Sequence, residues 1–562
     1  MISSQQKLRL VSCALILTLF AASGRTVAAE SPSPSLLYDV KAFGAKGDGQ
    51  VLDTDAINKA IAAAHAAGGG TVVFNSGTYA SFSIHLQSNV TLYLGPGATI
   101  LAAEPSGDGK NGYDYPEPNE FDPYEDFGHS HWHNSLIWGE NLENVGITGP
   151  GRIYGYGLSR GFGHAVRDRT PEEHAKDIKL PDAANAPKPG SIKSGPFNYP
   201  SVKDTMADGV GNKAIALKNC RNVLLRDFTI YHGGHFGILA IATDNFTIDN
   251  LTIDTNRDGM DIDCCVNVRV SNCNVNSPWD DGICLKSCYA LGKKRACENI
   301  TITNCHVSGY LEGTLLDGTR QKKYVGSEVT GGTGRIKFGT ESNGGYKNVV
   351  VSNCTFDYCR GLALEIVDGG TLEDVSISNL TMRDIGNSAI YIRLGKRNRE
   401  PHTENGFIRR VNISDVVAYD VDPRFSSIIE GSADRAIEDL SLSNIRIAYR
   451  GGGTQAQAAV EPPENERTYP EPHYHGIMPA YGFFVRHVKG LDMHDIHLSY
   501  LSVEQRPAFY LQDVAGADFH HVKAAHATGV PVFSLRHVNS FATQDVQDVP
   551  DLKKEMSEKE TY

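Results

Sequence analysis

Asn245-Phe-Thr-Ile-Asp-Asn250-Leu, Asn267-Val-Arg-Val-Ser-Asn272-Cys and Asn299-Ile-Thr-Ile-Thr-Asn304-Cys repeat one phrase, an apolar alternation bracketed by asparagines. The phrase returns as Asn348-Val-Val-Val-Ser-Asn353-Cys, Asp374-Val-Ser-Ile-Ser-Asn379-Leu, Val411-Asn-Ile-Ser-Asp415-Val and Asp439-Leu-Ser-Leu-Ser-Asn444-Ile. Its first two copies start 22 residues apart, and later ones are farther apart where loops intervene. Short β segments repeating at about 20 to 30 residues are what a solenoid produces when it stacks one unit per turn. The expected fold is therefore all-β, a single-domain right-handed parallel β-helix over residues 30–547. In it, residues one coil apart in sequence lie about 4.8 Å apart in space.

Outward from the repeats, the ends read differently. Asp53 or Thr54 can cap a helix whose Ile57, Ala60, Ile61 and Ala64 share one face, and Gly68-Gly-Gly-Thr71 ends it. A helix there is expected to cap the open end of the stack. The preceding Gly44 to Gly49 run lacks the Gly-Lys-Ser/Thr ending of a phosphate loop. Residues 1–29 carry Lys7 and Arg9, an apolar run and a Val27-Ala28-Ala29 ending, which reads as an export signal too short for a membrane span. Residues 548–562 are charged without apolar periodicity and are expected to fray. Three irregular insertions, 104–134, 159–211 and 450–480, are rich in Pro and in aromatic or charged residues, as loops that wall a cleft would be.

The formal charge of −13 over 562 residues argues against a nucleic-acid binder, whose backbone contacts need surplus Lys and Arg. Ten cysteines follow the export signal. Cys273, Cys305 and Cys354 each follow the repeated asparagine and should stack inside the coil, whereas Cys288 and Cys297 flank a basic loop that a disulfide could tie. Zinc-type spacing is absent, so neither metal nor cofactor is expected.

Chemistry concentrates between Asn256 and Lys337. Asn256-Arg257-Asp258 is followed 22 residues later by Asp280-Asp281, one coil on, and Gly334-Arg335-Ile336-Lys337 puts two cations at i and i+2 on one face. Crowded carboxyls raise at least one pKa and so retain a proton, while nearby cations suit an anion. Lys286 is a candidate to join them, and His235, one coil before Asp258, to project toward the same place. Asp261 and Asp263 alternate with Met260 and Ile262 and should point outward as supporting groups.

These motifs resemble glycoside hydrolase family 28, the pectin-degrading polygalacturonases and rhamnogalacturonan hydrolases. Asn256-Arg257-Asp258 resembles the family's Asn-Thr-Asp, Asp280-Asp281 its Asp-Asp, and Arg335-Ile-Lys337 its Arg-Ile-Lys. The resemblance implies an exported enzyme that hydrolyses galacturonosyl linkages with inversion. Asp281 would be the general acid, Asp258 and Asp280 would activate water, and Arg335, Lys337, Lys286 and His235 would bind substrate. The family's Gly-His-Gly is missing; the comparable region reads His306-Val-Ser-Gly309, which leaves rhamnogalacturonan-type substrates open. The insertions suggest a closed cleft end and exo action, with Asp122, Glu125 and Asp126 repelling a continuing polyuronate. The alternatives are a calcium-dependent pectate-type lyase and a β-helix that only binds polysaccharide.

Overall fold

The computed structural model describes residues 37–106, 111–126, 128–159, 207–322, 332–400 and 404–562. The expected export signal and most of the 159–211 insertion lie outside them. The described chain winds one parallel sheet into a right-handed β-helix. Phe236–Ile241, Asp244–Asp249 and Thr252–Asp254 form one coil; Asp258–Asp263, Val266–Ser271 and Asn274–Asn276 form the next; Ile283–Ser287, Cys297–Thr303 and His306–Ser308 form a third. Ile336–Ser342 opens the coil after that. Along the interior, Ile215, Ile238, Met260, Ile283 and Ile336 stack in register, all fully buried. Burying each such side chain is worth about 1.5–3 kcal/mol, and the column repeats that gain at every rung.

The asparagines explain the corners. Asn222, Asn245, Asn267, Asn299 and Asn348 all have φ between 49° and 59°, a left-handed conformation that asparagine tolerates better than other side chains. Each amide also bonds the equivalent one coil back, at 3.0 Å for Asn245 to Asn222 and 3.2 Å for Asn267 to Asn245. One residue type thus turns the chain and ties the turn to its neighbour. Beyond them, Cys273, Cys305 and Cys354 are buried and stacked as expected. Later coils use longer strands, Thr371–Ile385, Phe407–Val421 and Ile437–Gly451, bent at Asp374, Asp415 and Asn444 in the same conformation.

Helix Thr54–Ala66 buries Ile57, Ala60, Ile61 and Ala64 against the first coils. Asp53 stands at its start, yet its carboxylate caps nothing in the helix. It accepts the Lys46 and Gly47 N–H groups at 2.6 and 3.0 Å and so braces the Gly44 to Gly49 loop. At the other end the expectation of a frayed tail fails. Leu552–Thr561 is a strand, antiparallel to Phe533–Val546. Its charges sit on a half-exposed edge strand, where hydrophobic periodicity is not needed. The Cys288–Cys297 bridge is also absent: the ten described cysteines are free and buried. Cys297 Sγ donates instead to the Lys286 carbonyl at 3.0 Å.

Candidate active site

Each acidic motif ends in glycine, and the stacking shows why. A Cβ on Gly237 would lie 2.5 Å from the Gly259 carbonyl oxygen, and one on Gly259 would lie 2.4 Å from that of Gly282. Side-chain-free positions let the rungs close up. Gly259 then donates to the Asp281 carbonyl at 2.9 Å, which brings Asp258 beside the next coil's acids. Asp258, Asp280 and Asp281 each offer an oxygen within 4.8 Å of the others.

Their environments differ. Asp258 is buried, and burial first, then the charges of Asp261 and Asp280, push its carboxyl well above the ordinary range. Asp280 accepts from Arg257 Nη2 at 2.5 Å, and its side chain is 26% exposed. Asp281 is 4% exposed and accepts from Arg335 Nε at 2.8 Å, with Lys337 Nζ at 3.3 Å. Burial pushes Asp281 up, but Lys337 and Arg335 more than offset it and hold the carboxyl below its usual value. That favours the ionised form of Asp281, the residue the resemblance implied as proton donor.

The cations are placed differently from the expectation that they await a substrate carboxylate. Arg335 and Lys337 are each 2% exposed and spent internally. Arg335 also donates to Glu471, which Arg360 Nη1 meets at 2.9 Å. Lys337 lies 3.6 Å from Glu365 and over the Tyr469 ring. Lys286 sits 3.4 Å from both Asp261 and Glu341. His235 is buried against Phe236, and burial, then Arg257, hold it well below the usual imidazole range. His306 bonds Thr355 Oγ1 at 2.8 Å, a contact between neighbouring coils.

Sequence reasoning missed the groups that insertions deliver. His129, from the 104–134 insertion, bonds Asp261 Oδ2 at 2.9 Å and lies 3.5 Å from Glu341. Burial and Lys286 work against its protonation, but Glu341 and Asp261 prevail and raise it to about 9. Glu471 and Tyr469 come from the 450–480 insertion. No local pattern announces such partners, which meet the floor from more than 100 residues away; only the bare presence of the insertions signals them. The 104–134 insertion, in turn, does not present a wall of free acids. Asp126 is paired with Arg397 at 3.2 Å and Arg399 at 2.7 Å. Burial, then Glu341 and Asp263, raise Glu125 to about 9.

A glycine-spaced carboxyl triad thus sits on adjacent rungs of the parallel β-helix, beside an Arg-x-Lys pair. Residues 37–284 match the family model for rhamnogalacturonase A/epimerase, pectate lyase-like. An exo-poly-alpha-D-galacturonosidase of Dickeya chrysanthemi is 26% identical over 275 residues, 46% of this chain and 43% of that protein, so the match spans under half of its length. A probable polygalacturonase of Vitis vinifera is 22% identical over 72% of this chain and 73% of its own. The family 28 exopolygalacturonase of Yersinia enterocolitica superposes with a TM-score of 0.58 at 18% identity, covering 88% of this chain and 79% of that one. The chain is similar to these proteins in sequence and, to the family 28 exopolygalacturonase, in fold.

Proposed function

We propose that the chain is an exported glycoside hydrolase that cleaves galacturonosyl linkages in pectic polysaccharides or oligosaccharides, with inversion and from a chain end. The observation that carries the reading is the unequal triad: Asp281 held ionised by two cations, beside Asp258, which burial and neighbouring acids push toward its protonated form. Burial and the charges of Asp261 and Asp280 keep the proton on Asp258, and Asp280, the more exposed acid beside it, is the residue placed to pass it to the leaving oxygen. Asp281, fixed by Arg335 and Lys337, orients and deprotonates water. Retaining enzymes use carboxyls about 5–5.5 Å apart and an unencumbered nucleophile. Asp281 is instead clamped by two cations, which favours water attack over a covalent intermediate.

Exo action is supported by Asp126, His129, Tyr469 and Glu471, which bring two insertions onto one floor and leave a polymer less room to run through. Homogalacturonan and rhamnogalacturonan are digested separately, and products are followed by chromatography and by NMR of the first anomer. Inverted single galacturonates from the outset support the proposal. Mid-length oligomers with a rapid viscosity drop overturn exo action, a retained anomer overturns the displacement, and unsaturated products indicate the lyase alternative. Binding without cleavage indicates the silent one. Export is read from the mass of the mature chain, expected to start near residue 30.

A further inference from the structure

Beneath the 104–134 insertion lies a second buried cluster that the proposed chemistry does not use. Asp263, Cys264 and Cys288 are fully buried, and each offers a ligand atom within 4.8 Å of the others. The Glu125 carboxylate, from the insertion, lies against the Cys288 thiol. Each carboxylate is held by one oxygen only: Glu125 Oε1 accepts from Tyr289 N–H at 2.8 Å, and Asp263 Oδ1 accepts from Cys288 N–H at 2.9 Å. Their other oxygens, Glu125 Oε2 and Asp263 Oδ2, are buried with no hydrogen-bond partner. Among the described residues no Lys, Arg or His makes an ion pair with either acid. The surroundings are apolar, with Trp132, Phe236, Leu239 and Ala290 packed around the thiols.

Two idle carboxylate oxygens beside two thiols, in an apolar shell, leave a cost unexplained. A buried polar atom without a partner is unfavourable, so such a pair calls for an occupant. Disulfide formation would consume the sulfurs and leave both oxygens idle. A divalent cation would satisfy Asp263 and both thiols at once, and Glu125, against the Cys288 thiol, is the acid placed to complete its shell. We propose that Glu125, Asp263, Cys264 and Cys288 form a structural binding site for a zinc-class divalent cation, closed by two sulfurs and two oxygens. Thiolate with carboxylate in a four-ligand, water-free shell suits zinc, with no position left for a substrate. Binding is balanced by proton release: the cation gains two S–M bonds as two S–H bonds break, the carboxyls give up any proton they hold as their oxygens bind, and the protons leave to solvent. No zinc-type spacing announces the site because its ligands come from three separate segments.

The consequence is mechanical. Asp263 and Cys264 end one rung, Cys288 follows the next, and Glu125 belongs to the insertion. A cation there staples the insertion to two coils, four residues from His129, which bonds Asp261 beside the triad.

The test uses the full mature chain, reduced and freed of metal with a chelator, then titrated with cobalt(II) or zinc(II). The expected result is one equivalent of cobalt bound with the visible bands of a tetrahedral thiolate complex, displaced by zinc, and a melting temperature that rises with zinc. Cys288→Ser should weaken binding by at least the roughly tenfold that loss of a mere outer-sphere partner causes. Glu125→Gln, whose side chain is the same size, keeps the test open should the serine variant misfold, and it should weaken binding as well. A six-coordinate cobalt spectrum without thiolate bands, unchanged affinity in both variants, or a Cys264–Cys288 disulfide in a protein that takes up no metal overturns the proposal.

Discussion

Two groups of buried charge lie on successive coils, and they are built by opposite rules. Farther along the helix, Arg393, Glu430 and Arg486 stand in register on three consecutive rungs, so signs alternate up the column. Arg393 Nη1 meets Glu430 at 2.7 Å and Arg486 Nε donates to the same carboxylate at 3.0 Å. In the triad, acids meet acids: Asp258 faces Asp280 across the rungs with Asp261 close by. Alternation gives a column with its charges matched, whereas repetition of one sign stores a proton. The same stacking geometry supplies either, according to which residue each coil places at the position.

The largest effect expected is on turnover, at the stored proton. Asp280→Asn should lower kcat on polygalacturonate by about 10²- to 10⁴-fold. It should spare an aryl galacturonide whose leaving group needs no proton, whereas Asp281→Asn should abolish both activities. An equal loss on both substrates for Asp280→Asn would return the donor role to another acid.

Next comes the matched column. Glu430→Ala leaves the buried Arg393 and Arg486 facing each other and should cost about 3–5 kcal/mol in denaturant unfolding. A loss below about 1 kcal/mol would mean that water or Glu464 compensates, and the contrast between the two groups would weaken.

The smallest effect sharpens the contrast by sign. Asp258 keeps its proton in the folded protein above 3.8, where the unfolded chain releases it, so wild-type stability falls as pH rises from 3.8 through the raised folded value. Asp258→Asn should therefore melt at a higher temperature than wild type at pH 7, with the gap closing as pH falls toward 3.8. A gap independent of pH would show that the carboxyl is not protonated.

The coils were legible because their signal is local and repeated. Asn245 and Asn267 carry their own turn conformation, and the Asp-Gly pairs at 258–259 and 281–282 carry their own close approach. The triad followed from a spacing of one coil. What the spacing could not reveal was which acid would be ionised, because that depends on Arg335 and Lys337 pointing at Asp281. Glu471, Tyr469 and His129 were illegible for a different reason: they reach the floor from irregular segments whose path no periodicity constrains. The final strand was misread because Leu552–Thr561 has few apolar residues, and its pairing is decided by the bare edge of Phe533–Val546.

That final strand changes what kind of object the molecule is. A stack of parallel coils is a template: its last rung offers the same row of amides and carbonyls that every earlier rung offered its successor, and another chain could add to it without limit. By running antiparallel, Leu552–Thr561 breaks that copying rule, and Lys553, Lys554, Glu558 and Lys559 line the new edge with charge. At that edge, charge replaces the row that a further parallel coil would have copied.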